Sequence, residues 1–247
     1  MSRDVLLGWR NSSAQASLAF FPPIPLSQTE DGELAKQMPS QSGLSDFADR
    51  TFVVRSPWNM RMRPQKNPKG ETVFGLASGP GDLTQEAFRG LGEAFKPDAW
   101  RKSENPIFQL SLNLFFVSDE PCSVQLMPPF LSPKFRDWPG TLICGRFPVT
   151  NWPRPLNAAL EWQQPDGDWI VKRGDPIAYV QAIYDDPDII PKLVEAEMTP
   201  ALKRHTGKID NVALYARNVS PMFERAEATR PARLLTPKTL ARRDAEG

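Results

Sequence analysis

The stretch CGRFPVTNWPRPLNAALEWQQPDGDWIVKRGDPIAYVQAIY, Cys144 to Tyr184, decides the fold class, because strand patterning and turn chemistry agree along it. Leu156, Ala158, Leu160 and Trp162 alternate with Asn157, Ala159, Glu161 and Gln163, the two-residue period of a strand with one buried face. Pro165-Asp166-Gly167 then combines a fixed φ, a side chain that can bond its own backbone and a residue free to take positive φ, which predicts a tight reversal. Asp168 to Lys172 follows as a second strand. Arg173-Gly174-Asp175-Pro176 marks another turn or bulge, and the apolar run Ile177 to Tyr184 reads as a strand buried on both faces. The expectation is three consecutive antiparallel strands.

Working outward, Phe108, Leu110, Leu112, Leu114 and Phe116 alternate with more polar neighbours and predict one long strand. Ser123 to Met127 and Thr141 to Val149 predict two more, separated by Pro128-Pro129 and a loop from Pro133 to Gly140, where proline excludes central pairing. Arg50 to Arg55 and Met60 to Arg63 are shorter candidates. About seven strands at regular spacing predict a mainly β fold, an antiparallel β-sandwich or partly closed barrel with a few short peripheral helices. Asp82 and Gln85 resemble a capping box opening a helix that runs to about Phe95, weakened by Gly90 and Gly92. Helical spacing at Ile190, Leu193, Val194 and Met198 predicts a helix from Ile189 to Lys203 with Asp188 as its N-cap and a kink or break at Pro200. Asp210 to Arg217 is a further short helix candidate.

The expected layout is an irregular N-terminal arm over 1–49, a β-rich core over 50–187, a C-terminal helical segment packed on it over 188–229, and a basic tail over 230–247. The chain of 247 residues, 40% hydrophobic, is long enough to bury a sizeable core. Its 26 prolines imply many irregular connections. Thirty basic residues oppose 29 acidic ones for a net charge of +1, which supplies no electrostatic case for nucleic acid or an anionic membrane. Arg55, Arg61, Arg63, Lys66 and Lys69 still form a local basic stretch. The first residues lack a signal-peptide pattern, and no apolar run approaches the roughly 18 residues that cross a membrane. A cytoplasmic protein with buried, reduced Cys122 and Cys144 is the expectation.

A single histidine, His205, sits in what reads as a polar helix end. One histidine cannot build a three-histidine zinc site or a two-histidine iron site within one chain, and no Walker loop or dinucleotide fingerprint is present. No metal or cofactor is implied. Asp185, Asp186 and Asp188 suit a hard cation in principle but read as a solvated turn. Asp175 reads as the residue that closes the Gly174-Pro176 turn, with a general-base role as the alternative. Among seven tryptophans, Trp162 falls on the buried register, whereas Trp152 and Arg154 are held between Pro153 and Pro155 as either a structural clamp or a small recognition surface.

The segments SPWNMRMR (Ser56 to Arg63), GRFPVTNWPRPLNAALEW and IVKRGDPIAYVQ resemble an uncharacterised family of marine-bacteriophage and bacterial proteins. That family shares an R-x-P-x-x-x-W-x-R-P segment, here Arg146 to Pro155, followed by a G-D-P-x-x-Y-V strand, here Gly174 to Val180. The resemblance covers about residues 18 to 186 and implies a phage or prophage context with no assigned activity. The last strand also resembles that of dUTPase-like folds, whose nucleotide motifs are absent here. The sequence therefore points to a non-enzymatic structural or binding protein, acting in virion assembly or as an accessory, through protein partners or self-association. The alternative is a β-fold enzyme or a binder of a nucleotide or sugar, with Arg154, Glu161, Arg173 and Asp175 converging on a pocket.

Overall fold

The computed structural model describes residues 3–12, 19–37, 42–76, 83–209 and 220–238. Among these residues fifteen strands carry most of the regular structure. They are β1 (Arg3–Asn11), β2 (Ile24–Pro25), β3 (Thr51–Arg55), β4 (Met60–Lys66), β5 (Thr72–Leu76), β6 (Gly92–Ala94), β7 (Ile107–Ser111) and β8 (Leu114–Val117), followed by β9 (Cys122–Met127), β10 (Gly140–Leu142), β11 (Gly145–Pro148), β12 (Asn157–Trp162), β13 (Trp169–Val171), β14 (Pro176–Tyr184) and β15 (Ile189–Glu195). Among the described residues five α-helices accompany them: α1 (Glu30–Lys36), α2 (Ser42–Asp49), α3 (Gln85–Leu91), α4 (Pro200–Ile209) and α5 (Ser220–Ala228). The fold is mainly β, as expected.

Four sheets form, in the orders β15-β1-β8, β10-β12-β7-β6, β11-β9-β14-β3-β2 and β13-β4-β5, and none of them closes into a barrel among the described residues. Every pairing is antiparallel except β1 with β15, which run parallel from Arg3 opposite Ile189 to Trp9 opposite Glu195. One large core lies between the sheets. It takes Leu7 from β1, Phe52 and Val54 from β3, Leu114 and Phe116 from β8, Leu160 and Trp162 from β12, and Val180 from β14. The intervening residues point the other way and are apolar too. Val53 and Tyr179 pack with Leu26 and Ala48 beneath α1 and α2, while Phe115 and Val117 pack with Ala196, Leu202 and Leu234 beneath α4 and the C-terminal segment. Strands covered on both faces read as continuous apolar runs.

Several expectations give way to long-range pairing. The three consecutive strands β12, β13 and β14 sit in three different sheets, so Pro165-Asp166-Gly167 is a corner and not a hairpin. Trp162 locks that corner, its indole N–H donating to the Gly167 carbonyl at 2.9 Å. The predicted strand through Phe116 breaks at Asn113, which takes φ of 50° between β7 and β8; asparagine is among the few residues that tolerate this left-handed conformation. Thr141 to Val149 likewise divides at Ile143 and Cys144 into β10 and β11, which leaves Cys144 exposed where a buried thiol was expected.

The helix expected over Ile189 to Lys203 is a strand up to Glu195, and helix α4 begins at Pro200. Pro191 sits in an edge strand, where a missing N–H costs no ladder bond, and Thr199 Oγ1 accepts from the Leu202 N–H at 3.2 Å to open α4. Asp188 precedes a strand and caps no helix; its N–H donates to Asp186 Oδ1 at 2.9 Å in an exposed turn. Helix α3 is capped by Thr84, while Asp82 of the expected capping box lies outside the described residues, and the helix stops at Leu91 because Gly92 to Ala94 add as an edge strand to β7. The 1–49 stretch is less irregular than expected, since β1 is a central strand, and the described part of the tail, 230–238, is anchored through Arg230 and Leu234. The helix proposed at 210–217 lies outside the described residues.

Candidate functional site: a cationic cavity beside helix α4

The connection from β11 to β12 builds one wall. Pro153 and Pro155 fix the backbone there, so neighbouring side chains leave in set directions. Trp152 goes inward, 4% exposed, against Ile209 of α4 and against Phe223 and Ala226 of α5, with the Trp152 and Phe223 rings 4.8 Å apart. Arg154 takes another course: its guanidinium lies 5.2 Å from the centre of the Phe147 ring, a cation–π placement, and pairs with no carboxylate among the described residues. Burial pushes its pKa below the usual arginine range, although arginine keeps its proton at any ordinary pH.

Arg154 borders a cavity of about 490 Å³. The end of β1 contributes Arg10, Asn11 and Ser12, β8 contributes Phe115, and the α4 region contributes Met198, Lys203, Thr206 and Gly207. Lys203, Thr206 and Gly207 are three and four residues apart and so share one helix face. Gly207 leaves open space, since a Cβ built there meets no atom within 4 Å. Phe115, Pro155 and Met198 supply apolar surface, and no carboxylate lines the cavity among the described residues.

The charge balance is one-sided. Arg10 Nη1 donates to Glu195 Oε1 at 2.6 Å, but Lys238 Nζ donates to the same oxygen at 2.9 Å, so one carboxylate serves two cations. Lys203, like Arg154, has no ion-pair partner among the described residues. Asn11 is 6% exposed, and its Oδ1 accepts no hydrogen bond among the described residues. A second, smaller cavity of about 230 Å³ holds Cys122, Arg146, Asp185 and Glu227. Burial pushes the Cys122 thiol up to about 11, which keeps it protonated and unreactive at neutral pH.

The other residues expected to converge with Arg154 do not do so. Glu161, 1% exposed on β12, is held by Arg101, whose Nε donates to Oε1 at 3.0 Å while its Nη2 engages the other oxygen; that bidentate partner holds the carboxyl below its usual range. Arg173 donates to the Pro57 carbonyl and stacks on Phe21 at 4.6 Å, with Arg55 on the same ring at 4.6 Å. Asp175 closes its turn as the sequence suggested: Oδ2 accepts from the Lys172 N–H at 2.9 Å, Oδ1 pairs with Lys134, and Gly174 adopts φ of 89°. Each of these three is satisfied by its own neighbours. In the basic stretch, Arg61 and Arg63 both engage Asp168, whose carboxyl is depressed chiefly by the Arg63 hydrogen bond.

Arg10, Asn11 and Lys203 carried no signal in the sequence. His205 also proves different from the cation at a polar helix end that was expected: it is 3% exposed, 3.1 Å from the Asn151 carbonyl, with its pKa lowered mainly by burial. Among the described residues, no helix is long and apolar enough to cross a membrane. No protein-family model, curated protein or solved structure matches the chain.

Proposed function

We propose that the chain is a non-enzymatic binding protein that takes a small anionic ligand in the cavity beside α4. The observation that carries this reading is the half-buried Arg154 guanidinium, joined at the cavity wall by Lys203, neither of them paired with a carboxylate among the described residues. A cation taken partly out of water without a counter-charge is costly, and an anion entering the cavity relieves that cost. The volume lies within the range of small-molecule sites. Arg154 falls within the motif resembling the phage and bacterial family, while Trp152, Asp175 and Pro176 of the same motifs serve the packing and turns described above.

Thermal denaturation with phosphate, sulfate or citrate tests the reading, because a ligand at 100 times its Kd stabilises by about 2.7 kcal/mol. The native protein should gain melting temperature with at least one of these anions, and Arg154→Leu should abolish the gain. An anion-induced shift that persists in Arg154→Leu would place binding elsewhere.

Assembly is the second reading, favoured by the exposed apolar side chains Leu6, Phe130, Ile143 and Ile170, the last 58% exposed. A phage-related structural role requires self-association or a protein partner at such surfaces. Sedimentation of the purified chain tests it, and a monomer at all concentrations, both alone and with virion proteins of its source, counts against it.

A further inference from the structure

Resting on the binding reading, we infer that the ligand is a phosphate monoester carried on an apolar body, and that its second negative charge is required. Arg10, Arg154 and Lys203 are three cations lining the cavity, and among the described residues the only carboxylate paired with any of them is Glu195, which Arg10 shares with Lys238. A protein whose net charge is only +1 has thus gathered a local excess at one place. A singly charged ligand leaves either Arg154 or Lys203 uncompensated. A phosphate monoester carries a charge of about −1.5 to −2 at neutral pH and offers three acceptor oxygens. The arginine fork takes two of those oxygens in parallel, and the lysine ammonium takes the remaining one as a point charge.

Phe115, Pro155 and Met198 face the same space. Inorganic phosphate leaves this wall in contact with water, whereas an apolar substituent covers it and gains by the area removed from solvent. The cavity volume of about 490 Å³ accommodates an aromatic ring together with its phosphate.

Three probes separate these requirements in isothermal titration calorimetry at pH 7.5: phenyl phosphate, its singly charged diester methyl phenyl phosphate, and inorganic phosphate. Phenyl phosphate should bind at least about tenfold more tightly than either of the others, the size of one charge-assisted contact or one buried ring face. Lys203→Gln should bring the monoester down to the level of the diester. Lys203 is exposed on a helix, so this variant keeps the fold, and it decides the matter should Arg154→Gln fail to fold. Equal affinity for monoester and diester, with both lost in Arg154→Gln, overturns the inference and leaves the anion-binding reading intact. Equal affinity for phenyl and inorganic phosphate overturns the apolar body. No binding by any probe, or binding indifferent to both substitutions, overturns the inference and the binding reading together.

Discussion

Replacing Trp152 with alanine asks whether the proline-held connection clamps the C-terminal helices to the sheets. The indole is 4% exposed and belongs to a small cluster with Ile209, Met222, Phe223 and Ala226, separate from the main core. A tryptophan buries on the order of 200 Å², which at about 25 cal/mol per Å² corresponds to roughly 5 kcal/mol of transfer free energy for the whole side chain. Alanine retains part of it, and two short helices at the periphery can settle inward, so the loss should lie near the low end of the range for such truncations, about 3 kcal/mol. For a chain of this size that corresponds to roughly 6–12 °C in melting temperature. Urea denaturation followed by circular dichroism gives the free energy, and hydrogen exchange gives the location. Protection should fall over 200–209 and 220–228 first, while the strands of the main core keep theirs. A loss under about 1 kcal/mol with unchanged exchange in both helices would refute the clamp. Trp152→Phe should recover most of the stability, because a ring still reaches Phe223.

Three further outcomes are expected. Asn113→Val should cost about 1–2 kcal/mol, the penalty of a branched residue at positive φ, whereas Asn113→Gly should stay within about 0.5 kcal/mol; equal effects in denaturant titrations would show that the left-handed break does not matter. Gly140→Ala should cost about 1–3 kcal/mol, because a Cβ there meets the Glu161 carbonyl across the β10–β12 pair and backbone cannot step aside; a melting temperature within a degree of the native protein would contradict this. His205 titrates lower in the fold than when unfolded, since burial and the nearby Arg230 and Lys208 disfavour its cation against the help of the Asn151 carbonyl. Its neutral form is favoured by folding, so this contribution is complete above pH about 6.5 and is lost as pH falls below that value. Melting temperature should therefore decline from pH 7 to pH 5 more steeply in the native protein than in His205→Gln, and parallel profiles would argue against it. Glu161 and Asp168, also depressed, act in a separate window below the ordinary carboxylate range.

Local chemistry was enough to determine that this chain is mainly β, that it turns at Pro165-Asp166-Gly167 and again at Gly174-Asp175, and that Trp162 faces the core. Alternation, fixed proline φ and glycine freedom act between near neighbours and are written in the sequence. Only the tertiary structure decided which strands meet. A corner and a hairpin share the same turn residues, so nothing local placed β12, β13 and β14 in three different sheets. The apolar residues of Ile189 to Glu195 fit either a helix or a strand, and the open edge of β1, nearly two hundred residues away, selected the strand. The cavity is the extreme case. Arg10, Arg154 and Lys203 come from three separate parts of the chain, and whether a cation is free or neutralised depends on which carboxylates the fold brings within reach. Arg173 and Asp175 stood beside Arg154 as site candidates in the sequence, yet the fold satisfied both at once through Pro57, Phe21, Lys172 and Lys134 and left Arg154 without a counter-charge among the described residues.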